Sequence, residues 1–246
     1  MYPILFSIGS VNFYTHGVAI ALGAFLGGLV IFYLAKKEGL SRKNLFDLLV
    51  YSLFLGIIGA RIVYLIFYYY QFPNWKEMLL IWYGGLVSFG GIIGGFLAAG
   101  LILRKRGENI LKWFDIGIIG LYVGWIFGKI GCLLSGDTLG IISQSKIAIW
   151  GQIPVALFEP IWAGLLIIGL YLLLVQKRWQ LKNGFIFLVG LAGYALGRFV
   201  IDFWRVGRII ILHLKSSQLA SLGIILICLI IIYIYYVRSP KGVESV

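Results

Sequence analysis

Residues 113–134 read WFDIGIIGLYVGWIFGKIGCLL, an apolar stretch with Asp115 near its start and Lys129 near its end. Its length matches the roughly 20 residues that an α-helix needs to cross the hydrocarbon core of a bilayer. A transmembrane β-strand would be about half as long and would alternate polar with apolar side chains. The stretch therefore predicts a membrane-spanning helix.

Further stretches of the same kind predict seven spans in all. The other six lie at about 15–35, 47–70, 84–103, 155–175, 184–203 and 217–237. The composition agrees: of 246 residues 61% are hydrophobic and 12% are charged, against roughly 25% charged in a typical soluble domain. The mean hydropathy is +0.99. These values exclude a soluble globular domain and a disordered chain. We predict an all-α integral membrane protein with a single polytopic domain over residues 1–246.

The basic residues predict how the chain lies across the membrane. The formal net charge is +12, with 21 Lys and Arg residues. Thirteen of them fall in one alternate set of loops, five in the other set, and three inside the apolar stretches. The positive-inside rule assigns the loops richest in Lys and Arg to the cytoplasm. We therefore expect the N-terminus outside and the C-terminus in the cytoplasm. Because topology explains most of the charge, nucleic acid is not an expected partner.

Three basic residues lie within predicted spans. A charged side chain at the bilayer centre costs roughly 2.5–3.5 kcal/mol on insertion scales, so these residues need partners or a function. The predicted topology places them, and other polar or glycine-rich positions, in the outer half of the membrane: Arg61, Lys129 and Arg198, with His16, Gly84, Gly85, Ser88, Gly90, Gly91, Asp137, Glu159, Asp202 and Arg205. Basic groups are in excess, and arginine can grip phosphate through two hydrogen bonds. The pattern predicts a pocket for an anionic lipid head group.

Each of these features also has a simpler interpretation. Arg198 and Asp202 are spaced i,i+4 and can form a pair that only holds a helix. A histidine at a span end, such as His16, is often interfacial, and a glycine-rich run often serves close helix packing. Asp47 and Asp115 lie at the cytoplasmic starts of two spans, where they suit helix N-termini. The pocket prediction depends on convergence of the polar positions from several spans.

Other chemistry has little support in the sequence. It contains no HExxH motif, no Cys-His cluster, no Walker-type loop and no GxSxG elbow. Neither a metal nor another cofactor is expected.

At the polar positions, the sequence resembles the bacterial prolipoprotein diacylglyceryl transferase family. The resemblance extends over nearly the whole chain. The matching segments are Tyr14–Gly17 with Leu22 and Gly23; Gly59–Tyr64; Gly84–Gly94; Gly128–Asp137 with Gly140; Pro154–Glu159; Tyr194, Arg198, Asp202 and Arg205; and Gln218 with Ser221. Each motif is weak alone, but their order along seven predicted spans makes the match specific.

The resemblance implies a transferase of the bacterial cytoplasmic (inner) membrane. Such an enzyme moves diacylglyceryl from phosphatidylglycerol to the lipobox cysteine of a preprolipoprotein, so that a thioether forms and glycerol phosphate leaves. Phosphatidylglycerol, lipobox substrates and membrane lipids are the implied partners. By the resemblance, Lys129 and Arg198 contact the head group, Arg61 and Arg205 support them, and Tyr194 donates a hydrogen bond to the leaving phosphate.

The chain departs from the family pattern within its signature. Lys129 stands where the family has arginine, Cys132 and Ser135 stand where it has asparagine, and Asp137 replaces a glutamate. Three alternatives follow: His16 takes over proton handling, Asp137 does so, or the thiol chemistry is altered or lost.

The rival functions follow from these departures. A divergent paralogue would bind phospholipid without transferring it to cysteine, or would use another acceptor. A small transporter would need polar residues in both halves of the membrane, and the predicted topology places almost none in the inner half. A structural or assembly subunit is the remaining alternative.

Overall fold

The computed structural model describes most of the chain. The described residues are 2–9, 11–41, 43, 45–72, 74–80, 85, 87–136, 140–149, 151–176, 181–207, 209–211 and 214–237.

The described residues are mostly helical, and their long helices follow the predicted spans to within a few residues. The helices are α1 (Thr15–Lys37), α2 (Leu45–Tyr68), α3 (Trp75–Leu79), α4 (Ser88–Lys105), α5 (Ile110–Ser135), α6 (Val155–Val175), α7 (Phe185–Ile201) and α8 (Ser216–Ile232). Within the described part, α1, α2, α5, α6, α7 and α8 are long and apolar enough to cross a membrane. The chain is a multi-pass helical membrane protein. The predicted third span corresponds to α4, and its crossing of the membrane stays a prediction.

Two short antiparallel hairpins accompany the helices. Strands β1 (Ile4–Ile8) and β2 (Val11–Tyr14) precede α1, and strands β3 (Ile209–Ile211) and β4 (Leu214–Lys215) precede α8. The sequence predicts no strands here, because these segments are too short to show a clear alternation of polar and apolar side chains. They lie outside the predicted spans and leave the helical membrane architecture intact.

The described residues group into two compact units, and the smaller is Ala35–Ile110. Its α2 and α4 pack along a seam of glycines. A Cβ at Gly94 would come within 2.7 Å of the Leu55 carbonyl oxygen, and a Cβ at Gly59 or Gly90 would collide with the other's carbonyl oxygen. Small residues let helix backbones approach closely inside a membrane. The seam therefore depends on the absence of side chains at these positions.

The larger unit comprises Met1–Leu34 and Leu111–Val246. Here α1 and α5 meet through two glycine pairs. A Cβ at Gly27 would lie 2.5 Å from the carbonyl oxygen of Gly120, and one at Gly23 would lie 2.7 Å from that of Gly124. Both pairs are spaced four residues apart on their own helix, so they form one continuous contact face.

Side-chain hydrogen bonds join α5 to α7 in the same unit. The Asp115 carboxylate accepts the backbone N–H groups of Gly184 and Phe187, each at 2.7 Å. The Tyr122 hydroxyl donates to the Gly190 carbonyl at 2.7 Å. Asp115 therefore serves a helix N-terminus, as the sequence suggested, but it is the N-terminus of α7 and not of its own helix.

Candidate functional site

Five charged side chains of the larger unit form a continuous network, here called the Glu159 cluster. Its members are Lys129 on α5, Glu159 on α6, Arg198 on α7, and Asp202 and Arg205 just after α7. Lys129 Nζ lies 2.6 Å from Glu159 Oε2, and Arg198 Nη1 lies 3.2 Å from Glu159 Oε1. Arg205 also contacts Glu159. Asp202 lies 3.2 Å from Arg198 Nε and 3.1 Å from Arg205 Nε.

Burial divides the cluster by charge. The side chains of Glu159 and Asp202 are 4% and 0% exposed, whereas those of Lys129, Arg205 and Arg198 are 12%, 19% and 22% exposed. Three cations against two carboxylates leave a net charge of about +1. Buried charges need partners of opposite sign, and here the three cations form ion pairs with the two buried carboxylates. The accessible part of the cluster is therefore cationic.

The end of α7 is held in place from the start of α8. The Lys215 ammonium donates to the backbone carbonyls of Asp202 and Arg205. Gln218 accepts the Lys215 backbone N–H at 3.0 Å and donates to the Phe199 carbonyl at 3.2 Å. These bonds fix the turn that carries two members of the Glu159 cluster. Gln218 belongs to a segment that resembles the family, whereas the sequence places Lys215 only in a loop between predicted spans.

Aromatic side chains line a small cavity beside the cluster. The cavity holds about 20 Å³, room for about one water, and its lining includes Tyr122, Trp125, Trp162 and Tyr194 together with Glu159 and Arg198. The Trp125 and Tyr194 rings meet edge to face at 5.3 Å. Lys129 Nζ lies 4.9 Å from the Trp125 ring centroid, within cation–π range. This arrangement brings Tyr194, a predicted donor, to the cluster.

Neither tryptophan is among the predicted site residues, although the spacing of each along its helix indicates a position beside the cluster. Trp125 precedes Lys129 by four residues, and Trp162 follows Glu159 by three, so each shares a helix face with a cluster member. Trp162 donates to the Gly193 carbonyl at 2.9 Å. A Cβ at Gly197 would collide with the Trp162 indole. Gly197 therefore makes room for one wall of the cavity.

His16 and Cys132 form a second polar contact in the larger unit. His16 Nδ1 lies 3.5 Å from Cys132 Sγ. Gly131 allows this approach, because a Cβ there would lie 2.6 Å from the Ala19 methyl and 3.3 Å from the His16 Cα. Cys132 is three residues from Lys129 on α5, about one helical turn away. A histidine beside a thiol has the components of a proton-transfer site.

Arg61, in the smaller unit, is engaged by backbone carbonyls. Its Nε donates to Met78 at 2.8 Å and its Nη1 to Gly85 at 3.0 Å, while Nη2 donates to Glu77 at 3.2 Å and Leu80 at 3.1 Å. At least four of the five guanidinium N–H groups therefore hold the connection between α2 and α4. The Tyr64 and Phe72 rings lie 5.6 and 5.2 Å from its Cζ. This buried arginine holds the backbone between α2 and α4 in place. Its predicted support of a lipid head group stays a prediction.

The remaining predicted site residues fall in different surroundings. Gly90 and Gly91 lie in the α2–α4 seam, and Gly85 has a φ of +82° with its Cα against the Tyr64 ring. The helix position of Ser88 is described, as the first residue of α4. Gly84 and Asp137 lie outside the described residues. The roles assigned to these positions from the sequence stay predictions.

Spanning helices around a buried, cation-rich cluster define a multi-pass membrane protein with a candidate anion site. Residues 3–234 match the family described as prolipoprotein diacylglyceryl transferase. The chain belongs to this family, and the predicted resemblance is confirmed. It is accordingly an enzyme of the transferase class.

Curated relatives agree with the family match. The phosphatidylglycerol–prolipoprotein diacylglyceryl transferase of Staphylococcus aureus strain MSSA476 is 29% identical over 248 residues, covering 94% of this chain and 88% of the relative. The protein of the same name from strain JH9 is 30% identical with the same coverage.

Proposed function

We propose that this chain transfers diacylglyceryl from phosphatidylglycerol to the cysteine thiol of a prolipoprotein lipobox. In this reaction the thiolate sulfur forms a bond to the glyceryl carbon that carries the phosphate. The carbon–oxygen bond to phosphate breaks, and its electron pair leaves with glycerol phosphate. The products are a thioether-linked diacylglyceryl group and free glycerol phosphate. The family membership and the names of the relatives support both substrates.

The observation that carries the proposal is the division of the Glu159 cluster by charge. Its carboxylates are buried, and its three cations keep an accessible fraction. An anion approaching this cluster would meet Lys129 and Arg198 before it met a carboxylate. Cations fixed in a low-dielectric site stabilise negative charge that develops on a leaving group. In this proposal, Lys129 and Arg198 neutralise the leaving phosphate, Arg205 and the carboxylates orient them, and Tyr194 donates a hydrogen bond.

We assign the substrate's thiol proton to His16. A thiol attacks as its thiolate, so a proton acceptor is needed near neutral pH. His16 is supported by its contact with Cys132 and by the position of Cys132 one turn from Lys129. In this proposal, His16 Nδ1–H donates to Cys132 Sγ, and Nε2 accepts the substrate's proton. Asp137 is the alternative acceptor.

The proposed topology completes this function. We propose seven spans in one polytopic domain of the bacterial inner membrane, and α4 is the third of these spans. The N-terminus lies outside and the C-terminus lies in the cytoplasm. This orientation is supported by the distribution of Lys and Arg among the loops. It brings the cluster to the outer half of the membrane, where phosphatidylglycerol and a lipobox are both within reach. Labelling single exposed cysteines from each side of the membrane tests it.

Substitution of two cluster cations tests the site. The purified variants Lys129→Ala and Arg198→Ala, in liposomes containing phosphatidylglycerol, should give no mass increase on a lipobox peptide. Lys36→Ala and Arg104→Ala are matched controls, because both residues are exposed in the last turns of their helices, and they should keep full activity. Full activity of both cluster variants would overturn the assigned roles.

The same experiment separates the transferase from a divergent lipid-binding paralogue. A transferase adds the mass of diacylglyceryl to the peptide cysteine and releases glycerol phosphate. A binding protein retains phosphatidylglycerol without changing the peptide mass. A peptide with serine in place of the cysteine is the control, and it should stay unmodified under either hypothesis.

A further inference from the structure

The hairpin formed by β1 and β2 exposes apolar side chains on both of its faces. The register pairs Ile4 with Tyr14 and Phe6 with Phe13. Because Phe13 and Tyr14 are consecutive, the two pairs lie on opposite faces, and Ile4, Phe6 and Tyr14 are all exposed. Phe13 is also exposed, and its ring stacks on that of Phe6 at 4.6 Å. Residues 2–14 contain no charged side chain. An antiparallel hairpin in water usually presents one polar face. Here the polar pair Ser7 and Asn12 shares its face with the exposed Ile4 and Tyr14.

The base of the hairpin is fastened to the ends of two helices that qualify as membrane spans. Tyr14 is followed directly by Thr15, the first residue of α1. The Thr15 N–H donates to the Pro3 carbonyl at 3.0 Å, and the Thr15 hydroxyl contacts the Tyr2 carbonyl. The Tyr2 N–H donates to the Leu134 carbonyl, near the end of α5, at 2.8 Å. The hairpin therefore begins where two spanning helices reach the same membrane boundary.

These two observations specify a partner. A two-stranded hairpin is at best marginally stable in water by itself, and this one exposes apolar side chains on both faces. At the end of a spanning helix the adjacent apolar phase is the lipid bilayer. We propose that residues 2–14 lie in the interfacial zone of the membrane, with both faces in contact with lipid rather than with water.

The backbone limits how deeply the hairpin lies. Two strands leave unpaired N–H and C=O groups on their outer edges, and such edges are not tolerated in the hydrocarbon region. At the membrane interface, water and lipid head groups can form hydrogen bonds with these N–H and C=O groups. Tyr2 and Tyr14 lie at the base and are exposed, as suits tyrosine at the membrane interface. One strand pair near the turn is polar, since the Ser7 hydroxyl donates to the Asn12 side-chain oxygen at 2.8 Å. The expected position is thus level with the glycerol and head-group layer.

Spin-label accessibility on the full chain tests the proposal. Single cysteines are introduced at Ile4 and at Phe6, which the register places on opposite faces, and the protein is placed in liposomes of phosphatidylglycerol and phosphatidylethanolamine. Phe25 is the lipid reference, because it is exposed in the middle of α1, and Lys146 is the water reference in an exposed loop. The unmutated chain is the labelling blank, since Cys132 and Cys228 are buried.

The expected result is a shift of both labels toward the lipid reference. Accessibility to an aqueous nickel chelate should fall below that at position 146, and accessibility to oxygen should rise above it. Nickel accessibility equal to that at position 146 would overturn the proposal. Low accessibility to both reagents would also overturn it, because that result indicates burial in protein.

A second variant tests whether the attached spin label, rather than the hairpin itself, causes the lipid contact. With Phe6→Asp and Phe13→Asp together, the label at position 4 should shift to the nickel accessibility of position 146, because charged groups disfavour contact with lipid. No shift in this variant would contradict the lipid contact.

Discussion

Glu159 is the residue on which the charge cluster depends. The sequence placed it in the pocket, but it did not show that one carboxylate contacts three cations from α5, α7 and the segment after α7. Such contacts are tertiary, and no spacing along the chain encodes them. The i,i+4 relation of Arg198 and Asp202 was readable, because it lies within one helix, and the pair is present.

The first prediction concerns stability at Glu159. Replacing it by Gln leaves three cations without their shared counterion. Removing one partner of a buried ion pair costs roughly 3–5 kcal/mol, so we expect a clear fall in the unfolding temperature measured in detergent. Asp47→Asn, at a side chain that is 50% exposed, should change that temperature much less. An equal temperature for the two variants would contradict the counterion role.

The second prediction distinguishes Arg61 from the cluster cations. Lysine keeps the charge but cannot reproduce four hydrogen bonds to the carbonyls of the α2–α4 connection. Arg61→Lys should therefore lower the unfolding temperature, since hydrogen bonds to charged groups contribute about 1.5–3 kcal/mol each. The turnover of the remaining folded enzyme should change little. Normal stability with lost turnover would instead assign Arg61 to the substrate.

The third prediction concerns proton transfer by His16. His16→Gln should lower the transfer rate at pH 7 by roughly 10²–10⁴, the usual contribution of general acid–base catalysis. The deficit should shrink as the pH rises past about 8.5, where a free thiol ionises without a base. A pH series of rates on a lipobox peptide measures this. A deficit in Asp137→Asn but not in His16→Gln would assign the proton to Asp137.

At the scale of elements, most helices could be predicted and their connections could not. Long apolar runs and the basic residues that end them, such as Lys36 and Lys37 at the end of α1, fix the helices, because membrane thickness sets their length. The β1–β2 hairpin was missed, since its short strands are apolar on both faces and show no alternation. The glycine-rich run is compatible with either a lipid site or close helix packing. The described Gly90 and Gly91 lie in the packing seam between α2 and α4.

The fourth prediction contrasts two aspartates that looked alike in the sequence. Asp115 accepts two backbone N–H groups at the start of α7, whereas Asp47 is half exposed and 3.9 Å from Arg106. Asp115→Ala should cost about 0.5–2 kcal/mol as a lost helix cap. Asp47→Ala should cost at most about 0.5 kcal/mol, as for exposed ion pairs. Thermal unfolding of the two variants side by side checks this difference.

At the scale of the whole molecule, composition and charge distribution established the class of protein before any motif was considered. The helical membrane architecture and the family were predicted and are confirmed. The sequence could not show how the departures at Lys129, Cys132 and Ser135 are accommodated. In the structure, Lys129 still reaches Glu159, and Cys132 contacts His16, so both altered positions keep polar contacts.

Complementation of a bacterium depleted of its own prolipoprotein diacylglyceryl transferase tests the central claim most directly, because growth requires donor, acceptor and chemistry together. We expect the unmodified chain to restore growth and lipoprotein lipidation, and the Lys129→Ala variant, present in the membrane at the same level, to restore neither. Failure of the unmodified chain to lipidate any prolipoprotein, despite normal insertion into the membrane, would contradict the proposed function.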